Sequence, residues 1–242
     1  TYESVTKMAE QITTPERALA TMRRAFSALR NGRPGPVLVE IPQDIAVQEV
    51  DDSMLDEYAP VRAVRSQADP ADVETACRAL LEAKRPIIFA GAGVLYAEGW
   101  DELAQLAELI GVPVMTTMEG KSAISEKRHP LALGIGSNVM TGPAHYFIKD
   151  ADLVFAVGTS LTNHGLMTPI PKGMTIIHAT NDTRDLNKSY NADHAILGDA
   201  KLVLGQFIEC CRDIVGDGGR PGREAVEAEI ASRKKDWLDE WA

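Results

Sequence analysis

Apolar residues are spaced in two alternating periods along most of the chain. Thr14-Pro15-Glu16 predicts a helix start, with Thr14 as N-cap, Pro15 in the first turn and an acid beside the positive dipole end. Leu19, Met22, Phe26 and Leu29 then follow the 3.6-residue period until Gly32. After "GRPGP" comes the short apolar strand "VLVEIP", ended by Pro42. A nearly continuous apolar strand following a helix predicts a parallel sheet buried on both faces. Residues 1–13 read as polar and offer that strand no upstream partner, so the unit looks like the end of a domain that began earlier. Residues 43–68 keep no period and read as a linker.

Order resumes at Asp69-Pro70. A helix over 70–83 turns Val73, Ala76, Leu80 and Leu81 inward, and a strand at 86–90 follows. A helix over 98–110 (Trp100, Leu103, Leu106, Ile110) leads to a strand at 112–116 and the short "LALGIG" at 131–136. A helix near 142–149, strands at 153–157 and 174–178, "AIL" at 195–197 and a helix over 200–214 complete the series. Short apolar strands alternating with helices predict an α/β fold, a doubly wound parallel sheet with flanking helices. "GDGGRPGRE" at 216–224 reads as a second linker, and 224–241 as a charged helix carrying Ile230, Trp237 and Trp241.

Composition narrows the function classes. The 242 residues include 25 basic and 35 acidic side chains, a formal charge of −10 that works against nucleic acid or anionic membrane as partner. No run approaches the ~18 apolar residues of a membrane span. Cys77, Cys210 and Cys211 form no CxxC pair and read as reduced cytosolic thiols, which places the protein in the cytoplasm. The chain begins without Met and stops inside a helical pattern, so it reads as part of a longer protein.

The stretch "IIFAGAGVLYAEG" at 87–99 poses the chemical question. A dinucleotide loop needs three glycines and an acid ending the second strand. Gly91 and Gly93 supply two, Tyr96 stands in the third place, and the second strand runs into Thr116-Thr117-Met118, with Glu119 late. A hydride-transfer site is therefore not expected. Small and polar residues still recur where the strands end, at Gly91–Gly93, Thr117–Gly120, Gly158–Ser160 and Asn181-Asp182. There they either present amides to a phosphate or simply keep the βα turns tight. His129, His145, His164, His178 and His194 are scattered without metal-ligand spacing; His129 reads as a turn and His178 as a strand end. Arg33 reads as solvated or as a contact to backbone or to another subunit, and Lys121 as a surface residue or as facing a phosphate. No acid/base pair stands out as an active site.

Five stretches, in order, resemble one family. They are "GRPGPVLVEIPQDI" (32–45), "AKRPIIFAGAGV" (83–94), "LAELIGVPVMTTMEGKSAISEKRHPLALGIGS" (106–137), "ADLVFAVGTSL" (151–161) and "GDAKLVL" (198–204). Together they resemble the thiamine-diphosphate-dependent superfamily of acetolactate synthase, oxalyl-CoA decarboxylase and benzoylformate decarboxylase. The resemblance implies residues 1–50 as the tail of a pyrimidine-binding domain, 51–68 and 213–223 as linkers, 69–212 as the Rossmann-like central domain, and 224–242 as the start of a pyrophosphate-binding region. It further implies a lyase or transferase that binds a 2-oxo acid at thiamine diphosphate with Mg²⁺, both held outside these residues, in a homodimer or homotetramer. The cofactor would serve as electron sink. No catalytic residue and no metal ligand is then expected here, and the fragment alone should be inactive. Asp217 in Gly216-Asp217-Gly218 mimics the family's metal motif but lies in a linker with no later Asn.

By the same resemblance, nucleotide contacts fall on Gly91, Ala92, Gly93, Thr117, Met118, Gly158, Thr159, Ser160, Asn181, Asp182, Asp199 and Ala200, for FAD or ADP. Two departures weaken that reading: "GTSLTNHG" lacks the arginine of FAD-binding relatives, and "ATND" keeps one acid where they carry two. An empty or vestigial crevice is the leading expectation. The alternatives are a self-contained ADP- or FAD-binding regulatory module without catalysis, and a subunit-assembly element exposing the strand at Val37–Ile41.

Overall fold

The computed structural model describes residues 2–137, 139–163, 165 and 169–241. The chain divides into two units, Thr1–Arg65 and Ser66–Ala242.

In the first unit, β1 (Met8–Gln11) pairs in parallel with β2 (Val37–Glu40), joined by a 3₁₀ turn at Pro15–Arg17 and α1 (Ala18–Arg30). This corrects the expectation that β2 has no upstream partner. Met8, Ala9, Glu10 and Gln11 face Val37, Leu38, Val39 and Glu40 in register. A four-residue strand with two polar members lacks the apolar run that marks a parallel strand in sequence. Thr14 is extended, makes no capping hydrogen bond, and precedes 3₁₀ rather than α geometry. The buried positions of α1 are Thr21 and Ala25, beside the expected apolar face. Leu29, expected inward, is exposed. Two four-residue helices, α2 (Gln43–Ala46) and α3 (Ser53–Asp56), interrupt the segment expected as linker.

The second unit opens at α4 (Pro70–Glu82), where the Asp69 carboxylate accepts from the Ala71 amide at 2.8 Å. β3 (Pro86–Ala90) leads through α5 (Ala92–Tyr96) and α6 (Trp100–Ile110) to β4 (Val114–Thr116), then β5 (Ala132–Ile135). The helix expected over 98–110 is α6, which starts at Trp100, and a separate short helix, α5, precedes it across Glu98, whose φ is +57°. Leu103, Leu106 and Ile110 point inward as expected, whereas Trp100 is 43% exposed. α7 (Gly142–Lys149), β6 (Leu153–Val157), β7 (Thr175–Thr180), β8 (His194–Leu197), α8 (Ala200–Val215) and α9 (Arg223–Asp239) follow. The six strands lie in the order β5-β4-β3-β6-β7-β8, and every pairing is parallel.

That order reverses direction at β3. Right-handed crossovers consequently send α6 and α7 to opposite faces of the sheet. α4, α6 and α8 pack together on one face, where Phe155 of β6 stacks on Phe207 of α8 at 4.5 Å. α7 and α9 pack on each other, and Ile230 of α9 is fully buried in the core of this unit. Residues 224–241, expected as the approach to another region, are thus an integral helix of the second unit. α8 runs to Val215, three residues past the expected edge at 212. Cys77 and Cys211 meet at that helix contact, Sγ to Sγ 3.2 Å, both buried.

Candidate functional site

In an open parallel sheet, ligands meet the loops at the carboxyl ends of the strands, where strand order reverses. Here that point lies between β3 and β6, so Gly91–Gly93 and Gly158–Ser160 face each other. They interlock. The Gly91 amide donates to Val157 O at 2.9 Å and the Gly93 amide to Gly158 O at 2.8 Å. A Cβ on Gly91 would stand 2.3 Å from Gly158 O, and one on Gly93 2.7 Å from Gly158 Cα. Gly91 itself has ordinary extended backbone (φ −101°, ψ −177°), so it is glycine for space alone. Gly158, at φ +62°, is glycine for both space and conformation.

The next loop closes over the same point. Thr117 donates its amide to Ala90 O at 2.9 Å, and its hydroxyl accepts from the Gly120 amide at 2.9 Å. A Cβ on Gly120 would meet Ala90 O at 2.6 Å. Gly91, Gly93, Thr117 and Gly158 therefore form one tight cluster. Met118 turns to solvent, 41% exposed. Thr159 is fixed from below by His178, whose Nε2 lies 2.9 Å from Thr159 O. Because a carbonyl only accepts, this contact requires the Nε2–H tautomer of His178. Burial holds the His178 pKa below the ordinary imidazole value, opposed by that hydrogen bond and by Asp185. His178 is an interior residue of β7 and not a strand end.

The remaining expected contacts lie beyond this cluster. Ser160 Oγ pairs with Thr162 Oγ1 at 3.0 Å. Asn181 is exposed, whereas Asp182 is buried and grips Arg184, with Arg184 Nη2 at 2.7 Å from Oδ2 and Nε at 3.0 Å from Oδ1. Asp199 caps α8, accepting from the amides of Lys201 and Leu202 at 3.2 and 3.3 Å, and Ala200 is buried under that first turn. Ala92 is half-buried at the start of α5. His164 lies outside the described residues. His129 lies 3.1 Å from Glu108; burial lowers its pKa, against the pull of that carboxylate.

Three features were not legible in sequence. Thr116 Oγ1, on the last residue of β4, and Ser137 Oγ, two residues past β5, are buried without a hydrogen-bond partner. An apolar cleft of about 410 Å³, its open mouth included, is lined by Phe89, Met115, Leu161, Ile170 and Tyr190. His178 acts as the anchor of a loop. Nothing in a single sequence marks a strand hydroxyl as unpartnered, because that depends on register across the sheet.

The comparisons agree with this geometry. Residues 73–207 match the family model of the thiamine pyrophosphate enzyme central domain, more than half of the chain. The chain belongs to this family. A "Probable acetolactate synthase large subunit" of Methanococcus aeolicus is 36% identical over 196 residues, covering 77% of this chain and 32% of the relative. Glyoxylate carboligase of Escherichia coli O157:H7 is 32% identical over 238 residues, covering 97% of this chain and 40% of the relative. The crystal structure of benzoylformate decarboxylase from Polynucleobacter necessarius superposes with a TM-score of 0.68 at 21% identity, over 86% of this chain and 40% of that one. This likeness shows the shared fold. The chain spans about a third of the length of the first curated relatives it matches.

Membership in the thiamine pyrophosphate enzymes raises the question of cofactor, and this chain's residues answer it unevenly. They do not fit Mg²⁺. Among the described residues no group of three or more His, Cys, Asp or Glu is placed to hold a metal ion. Asp217 is almost wholly exposed, 3.8 Å from Arg212 Nε. For an adenine nucleotide the β3 loop fits poorly, since the Gly91 and Gly93 amides are spent on Val157 and Gly158 and the Val94 amide on Gly91 O. Asp182 and Asp199 are likewise engaged, by Arg184 and by the first turn of α8. Among the described residues no helix is long and apolar enough to cross a membrane.

Proposed function

We propose that this chain is the scaffold layer of a thiamine-diphosphate-dependent decarboxylase or carboligase acting on a 2-oxo acid, and that it performs no turnover by itself. The observation that carries the proposal is the interlocked Gly91–Gly93–Gly158 junction. It turns the place where this fold offers a ligand site into a packing contact. Thiamine diphosphate and Mg²⁺ would be held by residues outside the 242. The first unit supports assembly into a homodimer or homotetramer: β1 and β2 are parallel strands, normally covered on both faces, yet none of their residues is fully buried. A cytoplasmic location accords with three unbridged thiols.

The test is carbon dioxide release from pyruvate or glyoxylate, with thiamine diphosphate and Mg²⁺ supplied. The 242 residues should give none, and the product of the uninterrupted gene should give turnover. Turnover by the chain alone would overturn the proposal.

A second reading, a nucleotide-binding module without catalysis, is favoured by one observation. Thr116 Oγ1 and Ser137 Oγ are buried donors without partners near the crevice, and such groups cost stability unless something satisfies them. Calorimetric titration with ADP and with FAD decides it: saturable heat from either supports a module, and its absence removes the reading.

A further inference from the structure

A second cavity lies at the opposite end of the sheet, where β3 and β4 begin. Its open volume is about 680 Å³. Three junctions of the second unit build its wall: Lys84 to Pro86 at the entry to β3, Ile110, Gly111 and Pro113 between α6 and β4, and Arg220 to Gly222 before α9. Its charge is strongly one-sided. Lys84, Arg85 and Arg220 line it against the single carboxylate of Glu229, which takes Arg85 Nη2 at 3.1 Å. The Asp152 carboxylate beside it is occupied by the amides of Lys84 and Arg85, at 2.7 and 2.9 Å.

These cations are only partly satisfied. Arg85 Nε is buried and has no hydrogen-bond partner, which for a charged group costs stability unless a ligand supplies an acceptor. The Lys84 amine has no ionic partner among the described residues, and Arg220 uses one guanidinium nitrogen on Ala83 O. The amino terminus of α9, a 17-residue helix, opens onto the same space at Gly222 and carries no side-chain cap. Its dipole adds positive potential there, partly offset by Glu224 in the first turn. The rest of the lining is apolar: Ile110, Pro113, Phe147 and Val226. Arg85 lies over the Phe147 ring at 5.6 Å, so the cationic and apolar parts of the wall adjoin.

We infer that this cavity binds a small organic carboxylate with an apolar body, the carboxylate on Arg85 and Lys84 and the body against Phe147 and Val226. A bare inorganic anion would satisfy the cations and leave the apolar wall wet. A neutral apolar molecule would leave Arg85 Nε unpaired. A ligand so placed touches the β3 turn and α9 together, and binding would hold that joint closed.

Phenylacetate is the probe, titrated into the 242-residue chain by calorimetry alongside 2-phenylethanol and inorganic phosphate. Phenylacetate should saturate, and both controls should bind at least about tenfold more weakly, the difference expected for losing a charge-assisted hydrogen bond or the apolar contact. Arg85→Gln should weaken phenylacetate by a similar factor. If that variant fails to fold, Lys84→Gln, whose amine has no ionic partner among the described residues to lose, should weaken it severalfold with an unchanged melting temperature. No saturation, equal binding of either control, or phenylacetate affinity unchanged in the folded variants would overturn the inference.

Discussion

Gly91 and His178 carry opposite kinds of cost, and each yields a measurement. Gly91 has backbone angles any residue adopts, so Gly91→Ala strains nothing locally. It does drive a methyl to 2.3 Å from a carbonyl oxygen on the neighbouring strand's loop. Overpacking of this kind costs typically about 1–3 kcal/mol, occasionally more. Urea denaturation of Gly91→Ala should show at least that loss; an unchanged midpoint would mean the two loops are not in contact. For His178 the folded pKa is held below the unfolded value of about 6.5. The unfolded chain then binds the proton first as pH falls. Stability should decline as pH drops through about 6.5, by up to ~1.4 kcal/mol per pH unit for each such proton, and level off below the folded pKa. His129 adds in the same direction. In His178→Gln, which keeps a donor for Thr159 O, the decline between pH 7 and 5 should be shallower. An identical slope would contradict the assignment. One of the two sequence readings of Gly91 and Gly93 was a tight turn needing small residues. Which neighbour they spare was illegible, since Gly158 lies 67 positions downstream of Gly91 and meets it only through sheet order.

Among elements, the strongly periodic ones read true. α4, β3, α6, β6 and α8 were legible because full burial on a parallel sheet demands apolar runs and 3.6-residue stripes. β1 was not, because four partly covered residues of mixed polarity satisfy a parallel partner through backbone alone. α5 was not legible either, because five residues are too few to show a helical period, and Glu98, which follows it, takes a left-handed conformation without being glycine. α8 shows how one residue can bear two readings. Asp199 was a nucleotide contact by resemblance, and in the fold it is the N-cap of α8. Asp199→Ala should cost about 1 kcal/mol, within the usual 0.5–2 for an N-cap, and should leave ADP and FAD titrations as they were. A loss of nucleotide heat without a loss of stability would restore the ligand role.

For the whole molecule, the division at Arg65 and Ser66 is the feature most open to test. Arg62 and Arg65 lie exposed in a stretch without regular structure. Exposed segments of this kind are preferred sites of proteolytic nicking. Brief trypsin treatment should cut there first and release a resistant piece beginning at Ala63 or Ser66, with α9 still attached. Early loss of α9 would contradict its place in the core of the second unit. That core has the glycine junction at one end and the cationic cavity at the other, and among the described residues no group of three or more His, Cys, Asp or Glu is placed to hold a metal ion. The central claim is therefore that the reacting cofactor belongs outside these residues. Calorimetric titration of thiamine diphosphate with Mg²⁺ into the purified 242-residue chain tests it most directly. The account predicts no saturable heat; stoichiometric, Mg²⁺-dependent binding would contradict it.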